Sequence, residues 1–220
     1  ESLSLRREYD DKKPIAETIS NLADVAYSEG EYEQANKLCE ENLTLQRELG
    51  DKRSIALSLN TLGMISYSQG NYEKAKTLFQ ESLDIRSTLG DKRSIAYSLN
   101  NLGLTEFSKG NYERSEQYYK ESLDLQRELG NKQGIAASLH NLGLASYFQK
   151  EYERAREFYE ESLTIHRELG DKRGISSSLY NIGNADIYYG ETERAKKLCE
   201  ESLSLRREIG DKLAMTESLI

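Results

Sequence analysis

The chain has 220 residues, of which 37% are hydrophobic, 31% charged and 9% aromatic, and its 30 Lys and Arg against 38 Asp and Glu leave a net charge of -8. This is long enough to bury a core, and too acidic for a general affinity for nucleic acid or anionic membrane, both of which call for a basic face. No run approaches the roughly 18 to 20 apolar residues of a membrane span, no apolar signal-like run opens the chain, and Cys39 and Cys199 supply neither a disulfide framework nor a metal-ligand pair, which together point to a reducing, cytoplasmic setting.

In chain order, one unit of forty residues repeats almost without gaps. Residues 1–9 read as the close of a helix, followed by repeats at 10–49, 50–89, 90–129, 130–169 and 170–209, and 210–220 read as the opening of the next. Repeats 50–89 and 90–129 agree at about 22 of 40 positions, a signal of solenoid architecture. Within repeat 50–89, Ile55, Leu59, Leu62 and Ser66 fall on one helical stripe, and Ala75, Leu78, Phe79, Ser82, Leu83 and Ile85 on a second. Gln69-Gly70-Asn71 separates them, with Asn71 expected to cap the second helix. Gly90 suits a left-handed helix end and Asp91 the next N-cap. Each repeat is therefore helix A (about 51–68 in this phase), a turn, and helix B (about 72–89), and no β-like alternation occurs. A lone hairpin cannot bury both stripes, so the hairpins must stack into an all-α solenoid. Gly63, Gly103, Gly143 and Gly183 sit inside helix A, where glycine costs about 1 kcal/mol against alanine. Close approach of a neighbouring helix is the expected compensation.

Asn-Leu-Gly at 101–103 and 141–143, Gly-Asn-Tyr at 70–72 and 110–112, Ala75 or Ala155, and an aromatic or Cys four residues later resemble the tetratricopeptide repeat. The resemblance covers all five repeats but not the common 34-residue form. The usual Trp position holds Leu or Ile, the late Pro is missing, and the usual helix-B alanine is Ser82, Ser122, Ser162 and Ser202, with Asn42 once. The forty-residue unit is similar to those of Pins-type scaffolds, kinesin light chain and bacterial signalling arrays. The resemblance implies a right-handed superhelical solenoid that binds protein or peptide in a concave groove lined by helix A.

By that analogy the groove positions fall in six columns. The rim holds Arg53, Arg93 and Arg173; next come Leu57 and Tyr97, then Asn60, Asn100, His140 and Tyr180. Met64, Leu104, Leu144 and Asn184 follow, with Tyr67, Phe107 and Tyr147 and finally Phe148 and Tyr188. No Lys or Arg of helix A occupies the inner columns, which argues against a chaperone-type carboxylate clamp. A basic rim, an amide-rich centre and an aromatic floor suit an extended, acidic peptide: amides pair with its backbone and arginines meet its carboxylates bidentately. The bland alternatives are core packing for Tyr67, Phe107 and Tyr147, bonds between neighbouring turns for Asn101, Asn141 and Asn181, and solvated ion pairs for the rim arginines.

Catalysis is not expected, and no cofactor is implied. His140 replaces a groove Asn and reads as a variation of a binding surface, while His166 stands where other repeats carry Gln or Arg and reads as solvent-exposed. Neither pairs with a nucleophile. Cys39 and Cys199 replace Phe79, Tyr119 and Tyr159 and read as buried hydrophobes. Glu106 and Asp186 interrupt an apolar stripe, either as charges pairing across repeats or as groove borders. The leading functional reading is a scaffold that captures a protein or peptide partner. The alternative is an assembly or regulatory module of a larger signalling protein, with head-to-tail self-association through apolar ends. A nucleic-acid-binding helical repeat fits poorly with the acidic charge.

Overall fold

The computed structural model describes residues 12–211. It contains α1 (Lys12–Ser28), α2 (Tyr32–Leu49), α3 (Lys52–Ser68), α4 (Tyr72–Leu89), α5 (Lys92–Ser108), α6 (Tyr112–Glu128), α7 (Lys132–Phe148), α8 (Tyr152–Leu169), α9 (Lys172–Ile187) and α10 (Thr192–Glu208), with no strand among the described residues. Odd-numbered helices are the expected helix A and even-numbered ones helix B. The expected segments at 1–9 and 210–220 lie outside the described residues, apart from Gly210 and Asp211.

The helix ends follow from local chemistry. Gly50, Gly90 and Gly170 end α2, α4 and α8 in the left-handed region at φ 69°, 68° and 66°, a conformation that costs glycine no Cβ clash. The next residue starts the following helix: Asp91 Oδ1 accepts from the Ser94 amide at 3.2 Å, and Asp51 Oδ1 from those of Arg53 and Ser54 at 3.1 and 3.3 Å. Asn71 does not cap α4. The turn before it closes α3 through the backbone, Gly70 N donating to Tyr67 O at 2.9 Å and Asn71 N to Ser66 O at 2.8 Å, and leaves Asn71 at ψ 63°, outside the extended backbone of a usual N-cap.

The caps carry the first testable expectation. Asp91→Ala should cost about 1 kcal/mol, the usual worth of an N-cap. Hydrogen bonds from the Ser94 side chain and amide hold the Asp91 carboxyl below its ordinary value. A depressed folded-state pKa gives stability that is present above the unfolded value of about 4 and is lost as pH falls through the depressed one. Thermal melts of the wild type and Asp91→Ala should therefore differ at neutral pH and converge in acid.

The chain divides into two compact units, residues 1–109 and 110–220. In the first, α1 to α5 pack on their sequence neighbours, around Ala23, Ala26, Ala35, Cys39, Leu43, Leu59, Leu62 and Ile65. Gly63 permits this packing, since a Cβ there would lie 2.5 Å from Phe79 Cε1. In the second, α6 to α10 pack in the same consecutive way, around Tyr119, Leu123, Leu139 and Leu142 and around Ala155, Tyr159, Leu163, Leu179 and Ile182. Gly143 faces Tyr159 with the same 2.5 Å clearance, and Gly183 faces Cys199 Sγ at 2.9 Å. Cys39 is buried and Cys199 half-buried, each as a free thiol, and burial pushes the Cys39 thiol up to about 12.

The serines that replace alanine in helix B have a partner. Ser82 Oγ donates to Ala56 O at 2.7 Å, Ser162 Oγ to Ala136 O at 3.0 Å and Ser202 Oγ to Ser176 O at 2.7 Å. Each fully buried hydroxyl thus ties helix B to helix A of its own repeat and is satisfied in doing so.

Glu106 and Asp186 pair across repeats. Glu106, fully buried, meets Lys76 Nζ at 2.5 Å and Lys109 Nζ at 3.9 Å. Asp186, equally buried, lies 3.7 Å from Arg156 and 3.4 Å from Arg194. Lys76 and Arg156 share one repeat position, thirty residues before their carboxylate, so the device occurs once in each unit. Burial holds the Asp186 carboxyl above its ordinary value against the pull of Arg194 and Arg156, with Glu191 and Glu160 adding to the rise.

Candidate peptide-binding face

In the first unit the expected columns lie on α3 and α5. Arg53 and Arg93 are exposed, and one turn further along each helix Leu57 and Tyr97 are 53% and 49% exposed. Successive turns of a helix put these pairs on one surface. Asn60 is placed differently. It is buried, and its Oδ1 accepts from Asn101 Nδ2 at 3.0 Å, so the bond between neighbouring turns takes up this amide. Asn100, Met64, Leu104, Tyr67 and Phe107 are half-buried. Tyr67 leans on Tyr72 with ring centroids 5.5 Å apart, and its hydroxyl meets Ser108 Oγ at 2.7 Å.

In the second unit the columns lie on α7 and α9. His140, Leu144, Tyr147, Tyr180 and Asn184 are half-buried, while Phe148, Arg173 and Tyr188 are exposed. Arg173 Nε reaches Asp211 Oδ2 at 3.4 Å. The His140 ring tilts against Tyr159 with centroids 5.7 Å apart; burial, aided by His166, pushes its pKa down to about 4, so it presents a neutral imidazole at physiological pH. Tyr188 stacks on Tyr152 at 3.9 Å and meets Tyr147 edge-on at 5.8 Å, and Phe148 stacks on Tyr112 at 5.4 Å. Burial and the Tyr188 hydroxyl raise the Tyr147 phenol above its ordinary value.

A column from helix B completes these faces. Gln46, Arg86, Gln126, His166 and Arg206 share one repeat position, and all are buried except His166, which is half-buried. His166 is therefore not solvent-exposed: its side chain is 14% accessible and its Nδ1 lies 2.9 Å from Asp171 Oδ2. Room for it comes from Gly174, where a Cβ would collide with the imidazole, as one at Gly134 would collide with Gln126. Arg86 Nη1 donates to Ser94 O at 3.0 Å and Ser98 Oγ at 2.7 Å, and its guanidinium lies 5.9 Å from the Tyr97 ring. The Arg206 guanidinium lies 4.8 Å from the Tyr180 ring. Basic groups thus reach groove tyrosines from helix B, although helix A contributes none to its inner columns. The available signal was a column alternating among Gln, Arg and His above a column of Ser and Gly.

Helix pairs that repeat every forty residues, each seated on the next within its unit, define a helical-hairpin repeat protein. The tetratricopeptide repeat profile matches residues 14–88, 94–168 and 134–208, and the chain belongs to that family. Among solved structures it is similar to BtubC (BKLC) from P. vanneervenii, at 25% identity over 95% of this chain and 88% of that one with a TM-score of 0.84. It is also similar to a signal transduction ATPase with numerous domains and a tetratricopeptide repeat sensor from Pyrococcus horikoshii (20% identity, 99% of this chain, 37% of that one, TM-score 0.81). A Rap protein complexed with competence and sporulation factor matches at 13% identity over 97% of this chain and 61% of that one, with a TM-score of 0.79. No curated protein matches the chain in sequence. Among the described residues, no helix is long and apolar enough to cross a membrane and no group of His, Cys, Asp and Glu could hold a metal ion.

Proposed function

We propose that the chain is a protein-interaction scaffold that holds an extended, acidic partner peptide on the helix-A face. The observation that carries this reading is the pairing, on α3 and again on α5, of an exposed arginine with a large exposed apolar side chain one turn away: Arg53 with Leu57, and Arg93 with Tyr97. Exposed apolar groups beside fixed cations suit a segment that alternates apolar anchors with carboxylates. Arg173, Tyr180 and Tyr188 offer the same types of side chain within the second unit. A Rap conjugation gene regulator of plasmid pLS20, solved in complex with the Phr* peptide and similar in fold, supports a peptide-binding use of this fold. The scaffold does no chemistry of its own.

A panel of extended peptides with apolar anchors and either acidic, neutral or basic spacers tests this. Wild-type chain should retain the acidic set, and Arg53→Glu/Arg93→Glu should lose it by roughly tenfold or more, about 1.4 kcal/mol, with unchanged helicity. Equal retention by both proteins would remove the face from consideration. A regulatory array within a multidomain protein is the second reading. It is favoured by the Pyrococcus neighbour, in which the matched region is 37% of a chain that carries a tetratricopeptide repeat sensor.

A further inference from the structure

Between α1 and α3, over the end of α2, lies a cavity of about 590 Å³. Its floor is Asn42 and Gln46, and Glu17, Asp51, Ser54 and Ser58 stand in its walls. The next repeat holds the same position between α3 and α5, with Arg86 in place of Gln46. There the guanidinium crosses from helix B and donates to Ser94 O and Ser98 Oγ, the counterparts of Ser54 and Ser58. Gln46 does not cross. It turns back along its own helix, its Nε2 donating to Asn42 Oδ1 at 3.4 Å; Asn42 Nδ2 in turn meets Ser58 Oγ at 3.2 Å, Ser58 Oγ donates to Ser54 O at 3.0 Å, and the space beside them is the cavity. One repeat on, the chain thus displays an arginine side chain in the corresponding place, on serines that share the repeat positions of Ser54 and Ser58.

Charge favours the same occupant. Asp51, whose carboxylate caps α3, lines the cavity, and its counterpart Asp91 favours the charged form of Arg86. Glu17 adds a second carboxylate at a position that holds Leu57, Tyr97, Ala137 and Ser177 in the other repeats. Among the described lining residues, Lys13 is the single cation. Asn42 and Gln46 bring amide oxygens, which suit the spread donors of a guanidinium better than the compact ammonium of lysine. We propose that this cavity is a receptor for an arginine side chain of a partner polypeptide, which enters as Arg86 does one repeat later. The site adjoins the acidic-peptide face, with which it shares Leu57, and goes beyond it in selecting a cation at the α1 end of the first unit.

The test is an NMR titration of the full chain with Nα-acetyl-argininamide, and with Nα-acetyl-lysinamide as the control. Arginine amide should shift the side-chain amide signals of Asn42 and Gln46 and the backbone amides of Ser54 and Ser58, saturating in the millimolar range expected of a single side chain. Lysine amide should bind at least about tenfold more weakly. Gln46→Arg should abolish the shifts by filling the cavity from within, and Glu17→Gln, an exposed substitution that leaves the fold intact, should weaken binding several-fold if Gln46→Arg proves unstable. Absence of shifts at saturating arginine amide, equal response to lysine amide, or binding that survives both substitutions would each overturn the proposal. None of these results bears on the acidic-peptide panel, whose variants lie on Arg53 and Arg93.

Discussion

Leu142→Asp is expected to unfold the middle of the second unit while the first unit keeps its helices. Leu142 is fully buried and packs with Tyr119, Leu123 and Leu139. Truncation of such a leucine alone costs about 2–5 kcal/mol, and an uncompensated charge in its place adds the penalty of desolvation. The loss exceeds what a nearest-neighbour stack can absorb at one interface, since each repeat is stabilised by its own fold and its adjoining faces. Hydrogen exchange should therefore show lost protection in α6, α7 and α8, with α3 and its contacts around Leu59 and Leu62 still protected. Uniform loss across the chain, or none, would contradict the independence of the units.

The buried ion pair gives a second large effect, and an asymmetric one. Lys76→Met should destabilise the first unit by about 3 kcal/mol, because it leaves Glu106, which is fully buried, without its nearest cation. Glu106→Ser breaks the same pair, yet should cost about 1 kcal/mol or less, since serine already fills this position at Ser66 and Ser146 and Lys76 retains access to water. Lys109, 3.9 Å from Glu106, keeps the first figure from reaching the upper end of the usual range. Denaturation midpoints of the two variants decide the matter: equal losses would mean that the pair contributes through attraction alone rather than through the need to neutralise a buried carboxylate.

Regular features were readable in the sequence because they repeat. The bounds of α3 and α4 fall within a residue of those expected, the Gly90–Asp91 junction behaves as its chemistry requires, and Gly63, Gly143 and Gly183 stand where an aromatic ring or Cys199 presses on helix A. Side-chain destinations were less readable. Asn60 and Asn101 occupy adjacent columns, and no pattern in one dimension distinguishes an amide that faces solvent from one that bonds to the next helix. The cross-repeat partners of Glu106 and Asp186, Lys76 and Arg156, lie thirty residues earlier, a separation meaningful only once helix B of one repeat touches helix A of the next. The column of Gln46, Arg86, Gln126, His166 and Arg206 is polar throughout, so hydropathy assigned it to the surface. Its burial depends on the small residues opposite. Asn71 was misread because it follows the left-handed Gly70 with ψ 63°, outside the extended backbone from which an N-cap side chain reaches the first amides.

Arg127 meets Glu161 at 2.9 Å and Arg167 approaches Glu201 at 3.7 Å, a link thirty-four residues long that recurs with the repeat. Arg154 holds Glu116, and Arg194 stands forty residues further along. Excision of residues 130–169 would bring Arg127 to Glu201 and Arg194 to Glu116 in sequence register, with the glycine-to-cap junction intact at the splice. Loss or gain of one whole repeat would thus leave a join that is already complementary, so that the length of such an array can change without any new interface having to be made.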